Sequence, residues 1–144
     1  MEQIWASPQG IAPVGFHLRH IAGSIDRLLT YALGRKLDER QTTELRKEME
    51  PGAFWEELFS GLEKALENGE KILRALDPGV LHEPRFVGRR QLPTTLIGLL
   101  VHVAEHTQRH VGQAIVTAKL VRQPGLGSES AKTNNPGAED IGRE

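Results

Sequence analysis

The segment Leu99-Leu-Val-His-Val-Ala-Glu-His-Thr-Gln-Arg-His-Val-Gly-Gln113 has the apolar spacing of a long amphipathic helix that carries three histidines. Side chains four residues apart lie one above the other on a helix, so the imidazoles of His106 and His110 can both reach one metal ion. A second histidine-rich segment, Phe16-His-Leu-Arg-His-Ile-Ala22, supplies a candidate third ligand. The two segments together predict a metal centre between two helices.

The composition is that of one domain with no thiol chemistry. The chain has 144 residues, of which 38% are apolar, and this is enough for a single core. Its 18 basic and 19 acidic side chains leave a net charge of −1, which argues against binding to nucleic acid or to an anionic membrane. Because there is no cysteine, a metal must be held by nitrogen and oxygen ligands.

The same sequence gives no sign of export or membrane insertion. Its apolar runs stay well below the roughly 20 residues that cross a bilayer, and its first residues lack the charged and apolar regions of a signal peptide. We therefore expect a cytoplasmic protein. As its partner we expect a small-molecule substrate.

Apolar periodicity and helix-ending residues predict an all-α bundle. Residues 1–122 form the predicted helical domain, and residues 123–144, rich in Gly, Ser and Asn, form a tail that we expect to be disordered. Proline and glycine interrupt residues 77–93, a predicted connector with a short extended piece near residues 85–87. The predicted helices are 14–33, 38–49, 53–76 and 95–122.

Helical-wheel geometry ranks the histidines of the last helix. His110 lies about 60° from the centre of the apolar stripe, His106 about 100° and His102 about 140°. His102 and His110 are separated by about 12 Å along the axis, so one ion with bonds near 2.1 Å cannot take all three. The wheel therefore favours His106 and His110 as ligands and makes His102 a neighbour.

The first helix offers two histidines for the third position. His17 lies about 70° from the apolar centre and His20 about 130° from it. Geometry alone therefore favours His17 as the third ligand.

Two stretches of the chain resemble a known family. Residues 14–29, Val-Gly-Phe-His-Leu-Arg-His-Ile-Ala-Gly-Ser-Ile-Asp-Arg-Leu-Leu, are similar to the first metal-ligand helix of the DinB and YfiT-like superfamily. Residues 100–113 are similar to its closing motif, a histidine, three residues and then His-x-Gly-Gln. In that family the first ligand is followed by an apolar residue and alanine, which matches His20. The resemblance implies the ligand set His20, His106 and His110, with His17 as the alternative to His20.

The resemblance, which covers residues 11–121, implies an up-down-down-up four-helix bundle with a divalent metal ion held by three histidines. Zinc or nickel leads the candidates, followed by iron and manganese, and a thiol is a candidate cofactor. Only about a dozen residues precede Val14, so the family's N-terminal helix is lacking or shortened. Either residues 38–49 or a second subunit takes its place, and we expect a homodimer.

Three neutral imidazoles leave a divalent ion with its full charge and an open position. Zinc held in this way lowers the pKa of bound water to about 7 or polarises a carbonyl. Thr107 follows His106, so the general base of the zincin motif is missing, and the sequence assigns no base. Gln113 is the candidate partner for the second nitrogen of a ligating imidazole. The candidates for contacting a carboxylate or a thiol cofactor are the connector arginines Arg85, Arg89 and Arg90.

Two function classes compete. The first is a metalloenzyme of the hydrolase or thiol S-transferase type, and the second is a bundle that binds a metal or a small ligand without turnover, as a sensor, scavenger or dimeric interaction module. An enzyme should have an open coordination position that faces a pocket. Residues better interpreted as structural or solvated are His17, His82, His102, Glu105, Trp5, Trp55 and the connector arginines.

Overall fold

The computed structural model describes residues 2–123 and is predominantly helical within that range. The predicted tail from residue 124 onward lies outside the described residues. Two 3-10 turns, at Glu2–Trp5 and Pro8–Gly10, precede the first helix, and a third, at Pro78–Val80, precedes two short strands. The main elements are α1 (Val14–Ala32), α2 (Glu39–Arg46), α3 (Trp55–Ala75), β1 (Pro84–Val87), β2 (Leu92–Thr95) and α4 (Leu96–Val121).

Local signals set the helix ends close to where the sequence predicts them. Gly34 follows α1 with a φ of 70°, a conformation that glycine adopts without strain. Asp38 caps α2 through a reciprocal capping box with Gln41. The Thr95 side chain accepts a hydrogen bond from the Gly98 amide and so caps α4. The predicted helix at 38–49 is shorter than expected because α2 already ends at Arg46.

Helix α1 lies between α3 and α4. Leu18, near the start of α1, packs with Leu58, near the start of α3, so these two helices run parallel. Ala32, at the end of α1, packs with Leu96 and Leu99 at the start of α4, so α4 runs antiparallel to α1. Between these ends, the core consists of Ile21, Ile25 and Leu29 of α1 packed by Leu62, Ala65 and Ile72 of α3 and by Leu100 and Val103 of α4.

Gly69 brings α1 and α3 close together. A Cβ atom at this position would lie 3.3 Å from Leu29 Cδ1 and 3.4 Å from Ile25 Cγ2. The glycine costs about 1 kcal/mol of helix propensity relative to alanine, and the close packing that it permits offsets this cost.

The connector forms a β-hairpin, where the sequence predicts only a short extended piece. Strands β1 and β2 pair antiparallel, from Pro84 opposite Thr95 to Val87 opposite Leu92. Gly88, with a φ of 71°, allows the turn. Within residues 2–123, no helix combines the length and the apolarity that a membrane span requires.

The two tryptophans have different environments. Trp5 packs beside Leu18 and donates its indole N–H to the Ala53 carbonyl at 2.9 Å, as expected of a packing residue. Trp55 is 51% exposed at the start of α3, where its ring contacts Phe59. The expectation of a packed Trp55 is therefore not met by the described residues.

Candidate metal centre

Three histidines from two helices meet at one point. His20 projects from α1, and His106 and His110 project from α4. One ring nitrogen of each lies within 4.8 Å of those of the other two, and the Nε2 atoms of His20 and His106 are 2.9 Å apart. Helix α4 runs antiparallel to α1, and its contacts with Ala32 set the register of the two helices. In this register His20 lies at the same height as His106 and His110, which are one turn apart on α4. The structure thus brings together the set implied by the resemblance, while metal ligation itself stays a prediction.

His17 lies beside this cluster and outside it. It is 3% exposed, and its Nδ1 is 3.0 Å from Nδ1 of His110. The wheel favours His17 because it ranks residues relative to one average apolar direction on α1. That direction combines contacts with α3 and contacts with α4, whereas His20 faces the pair on α4.

The other sequence candidates are not part of the cluster. His102 is exposed, and its ring centroid is 5.5 Å from that of His106. His82 is exposed in the connector, and Glu105 is exposed on α4, as expected. Gln113 is also exposed, and within residues 2–123 it makes no hydrogen bond to a histidine, so its predicted role as imidazole partner is wrong.

Glu48 is the imidazole partner that the sequence did not reveal. This residue is 4% exposed in the segment after α2, and its Oε2 accepts a hydrogen bond from Nδ1 of His20 at 2.7 Å. Its Oε1 lies 2.7 Å from Nη2 of Arg27, which is 7% exposed. A proton on Nδ1 of His20 leaves the lone pair of Nε2 directed toward His106, which is the tautomer a metal ligand needs.

The segment that carries Glu48 is fixed to α1 by polar contacts on both sides. Arg19 donates from Nη1 to the backbone carbonyls of Lys47 and Glu50, at 2.8 and 2.6 Å. Before it, the buried Gln41 of α2 donates from Nε2 to the side chain of Asp26 at 3.0 Å. These contacts hold the carboxylate of Glu48 at a defined position beside α1.

Gly23 makes room for the ion pair. A Cβ atom there would lie 2.6 Å from Nη1 of Arg27 and 2.8 Å from Oε1 of Glu48. His20, Gly23 and Arg27 follow the i, i+3, i+7 spacing of one helix face. A small residue between two polar ones at this spacing is the only sequence signal we find for this network, and it does not identify the acidic partner.

The environment of His17, His106 and His110 lowers their pKa values and favours their neutral forms. Burial, followed by the charges of His20, His106 and His17, lowers the pKa of His110 to about 4. Burial and then His20 lower the pKa of His106, and the same two causes lower that of His17. The ring of Phe16 stacks on His20 with centroids 5.2 Å apart and covers one side of the cluster. Neutral imidazoles at pH 7 are the form that binds metal.

The connector arginines do not cover the cluster. Arg85 donates from Nε to the Ala32 carbonyl at 2.7 Å, so the hairpin packs at the end of α1. That end lies twelve residues, or about 18 Å, beyond His20. Arg89 and Arg90 are exposed in the hairpin turn. The proposed role of these arginines in holding a ligand over the histidines is therefore wrong.

A groove of about 1180 Å³ lies between α1, α2 and α3, lined in part by Arg19, Asp26 and Glu48. The three clustered histidines are not among its lining residues. Glu48 therefore lies between the groove and the cluster, whose three imidazoles are partly exposed.

The donor set fits a divalent ion that prefers nitrogen. Three imidazoles suit zinc, nickel or a similar first-row ion. The ligand nitrogens of a tetrahedral ion with bonds of about 2.1 Å lie about 3.4 Å apart. The 2.9 Å between His20 and His106 thus requires the two rings to part by about half an ångström, which their partial exposure permits.

A comparison with models of known protein families gives a match over most of the chain. A family model described as the DinB superfamily matches residues 3–114, a range that includes the three clustered histidines and Glu48. No curated protein and no solved structure matches the chain.

Proposed function

The chain belongs to the DinB superfamily, and from this we propose that it is a metal-dependent enzyme whose divalent ion is held by His20, His106 and His110. The reaction we propose is activation of water or of a thiol, in a hydrolase or a thiol S-transferase. The observation that carries the proposal is the meeting of three imidazole nitrogens within 4.8 Å, one of them oriented by a buried carboxylate.

His20 is the ligand whose orientation is best defined. Glu48 accepts the Nδ1 proton of His20, and Arg27 balances the carboxylate charge. The carboxylate raises the basicity of the imidazole, and outer partners of this kind commonly contribute 10- to 100-fold to metal affinity or activity. Oε2 of Glu48 accepts from His20, and Oε1 forms the ion pair with Arg27 without a hydrogen bond from any described residue. We therefore assign Glu48 a positioning role rather than that of a general base.

His17 has the corresponding role for His110. We assign Nε2 of His110 to the ion, which leaves its Nδ1–H to donate to Nδ1 of His17. Since His17 is buried, this contact restrains the His110 ring inside the α1–α4 interface. Two of the three proposed ligands thus have a hydrogen-bonding partner on their second nitrogen.

The ligand set also defines what the site offers a substrate. An ion held by three neutral imidazoles keeps its full charge and an open position, and supplies a Lewis acid that polarises a carbonyl or lowers the pKa of water or a thiol. Phe16 excludes water from one side of His20, and the exposed His102 lies at the solvent edge beside His106. Substrate therefore approaches along α4.

A second candidate is a bundle that binds the ion without turnover, as a sensor or scavenger. The observation that favours it is the separation of the large groove from the three histidines. A catalytic site is usually found in a concave pocket with converging polar groups.

The test of metal binding is elemental analysis of protein purified without a polyhistidine tag. We expect about one ion per chain in the wild type, and loss of the ion in His106→Ala and His20→Ala. His82→Ala is the matched control, since His82 is exposed in the connector, and it should keep the ion. Metal lost in His106→Ala and kept in His20→Ala would assign the third position to His17. A wild type that takes up none of zinc, nickel, manganese or iron would overturn the proposal.

Turnover separates the two candidates. Metal-loaded and metal-free proteins are compared for ester hydrolysis and for addition of a thiol to an electrophile. Activity that returns with the ion, and is absent in His106→Ala, supports the enzyme. A stoichiometric ion with no turnover in either assay supports the non-catalytic bundle.

A further inference from the structure

Helices α3 and α4 each carry an exposed apolar stripe beside the row of residues that packs on α1. The seven large side chains in these stripes are between 38% and 51% exposed, whereas the residues that pack on α1 are buried or partly buried. The α3 stripe consists of Trp55, Phe59, Leu66 and Leu73, and the α4 stripe of Val101, Val111 and Ile115.

The two stripes face the same side of the molecule. On a helical wheel whose angle increases by about 100° per residue, the α3 stripe lies about 80° beyond the row of α3 that packs on α1. The α4 stripe lies about 130° beyond the corresponding row of α4. Because α3 and α4 run in opposite directions, these displacements turn the stripes toward each other. The positions of α3 and α4 around α1 decide whether the stripes turn toward each other or apart. On α1, Leu18 faces α3, and His17, about 100° away on the wheel, faces α4. Both stripes therefore border the corner diagonal to α1, which a fourth helix occupies in a four-helix bundle.

The open corner is large enough for a stable interface. The α3 stripe extends over about 18 residues, or about 27 Å, and the α4 stripe over about 14 residues, or about 21 Å. The half-exposed side chains leave roughly 600 Å² of apolar surface, at the upper limit of what monomers expose. With its polar edges, this face approaches the ~800 Å² per partner of a standard interface. Within residues 2–123, no element covers it.

Charge favours one arrangement of two copies. The outer edge of the α3 stripe carries Glu56, Glu63, Glu67 and Glu70, offset by Arg74. Beyond its own stripe, α4 carries Arg109 and Lys119 against Glu105. Pairing α3 with the α3 of another copy would oppose two acidic edges, whereas pairing α3 with α4 sets an acidic edge against a basic one.

We propose that a second copy of this chain fills the corner, with α3 of each protomer packed against α4 of the other about a two-fold axis parallel to the helices. Such a contact is isologous and closes at two subunits. Since this axis preserves height along the bundle, Phe59 of one protomer meets Val111 of its partner. The histidines lie on the opposite face of α4, so the dimer and the metal centre are independent.

Mass measurement tests the dimer. For the wild type, light scattering or sedimentation at a concentration on the order of 100 µM should give a mass twice the 16.0 kDa of one chain. Leu66→Glu should give the monomer and keep its ion. Phe86→Glu, at an exposed apolar position of β1 outside the stripes, is the matched control and should stay dimeric. A wild-type monomer, or equal loss of the dimer in both variants, would overturn the proposal.

Engineered thiols test the arrangement, since the chain has no cysteine of its own. A mixture of Phe59→Cys and Val111→Cys proteins should form a disulfide-linked dimer on oxidation, and neither protein should do so alone. Cross-linking of Phe59→Cys alone would show α3 against α3 and overturn the proposed axis. If Phe59→Cys is a monomer and its thiol does not react with a maleimide, residues 124–144 cover the corner instead. That result would overturn the proposed dimer.

Discussion

The interface between α1 and α4 has two ends of opposite character. At one end Ala32 packs against Leu96 and Leu99, all three at most 2% exposed. At the other end the same two helices meet through four imidazoles, with a buried carboxylate and guanidinium behind them. The apolar end gains stability from every atom that it buries. The histidine end buries polar groups that stabilise the fold only while each has its partner.

Along this pair of helices, the residues that stabilise the fold and the residues proposed to bind the metal ion therefore lie at different ends. Substitutions at the apolar end should change the free energy of unfolding and leave metal affinity intact. Substitution of a proposed ligand at the histidine end should lower metal affinity far more than it changes the unfolding free energy of the metal-free protein at pH 7. Four measurements test the separation.

The largest effect should come from His106→Ala. This change removes the ring whose Nε2 lies 2.9 Å from that of His20 and leaves two ligands. We expect zinc affinity to fall about 1000-fold, or about 4 kcal/mol, with little change in the unfolding free energy of the metal-free protein. A competition titration with a chromophoric chelator measures it. His102→Ala, one turn earlier on α4, is the control, and an equal loss there would contradict the assignment.

At the apolar end, Leu99→Ala should destabilise the metal-free protein by about 3 kcal/mol. Leu99 is 2% exposed, and its truncation leaves a cavity against Ala32. Urea denaturation measures the loss, and zinc affinity should change less than about threefold. Leu92→Ala, at a 59% exposed position of β2, should cost under about 0.5 kcal/mol. Loss of the ion in folded Leu99→Ala would show that the two ends are coupled.

An intermediate effect is expected for Glu48→Gln. The amide preserves the volume of the side chain and removes the charge that His20 and Arg27 share. We expect zinc affinity to fall 10- to 100-fold, about 1.4–2.8 kcal/mol. Glu50→Gln is the control, because only the backbone of Glu50 contacts Arg19. Unchanged affinity in Glu48→Gln would show that the carboxylate does not position His20.

The smallest effect concerns pH. Burial and neighbouring imidazoles lower the pKa of His110 to about 4 in the folded protein, below the value near 6.5 of an unfolded chain. Unfolding therefore takes up a proton between these values, so the metal-free protein should lose stability as the pH falls from about 6.5 toward 4. Water screens the partly exposed rings, and we expect a loss of about 1 kcal/mol. Urea midpoints at a series of pH values measure it, and His110→Gln should flatten the slope.

The apolar end was largely predictable from the sequence, and the histidine end only in part. Leu96, Leu100 and the α1 row follow helical periodicity, and Gly34 and Thr95 mark helix ends within a residue or two. The spacing of His106 and His110 identified a pair on one helix face. His20 came from the family resemblance, since a wheel places residues relative to an average apolar direction and does not show which neighbouring helix each face meets.

Glu48 could not be found from the sequence because nothing local distinguishes it. It stands 28 positions after His20 in a charged segment with weak periodicity, among glutamates that are solvated. Its role arises from the crossover between the parallel helices α1 and α3, which lays this segment across α1. The exposure of Trp55 could not be predicted for a related reason. An apolar stripe on a helix predicts burial, but the sequence does not show whether another element packs against it.

The contacts at the histidine end join residues that are far apart in the chain. His20 and His106 are 86 positions apart, and His17 and His110 are 93 apart. Closing loops of this size is slow and entropically costly, so these pairs should form late in folding. An ion bound there would link the first helix to the last as a reversible cross-link across most of the chain. Removing it with a chelator should speed unfolding, so metal supply would set the lifetime of the folded protein.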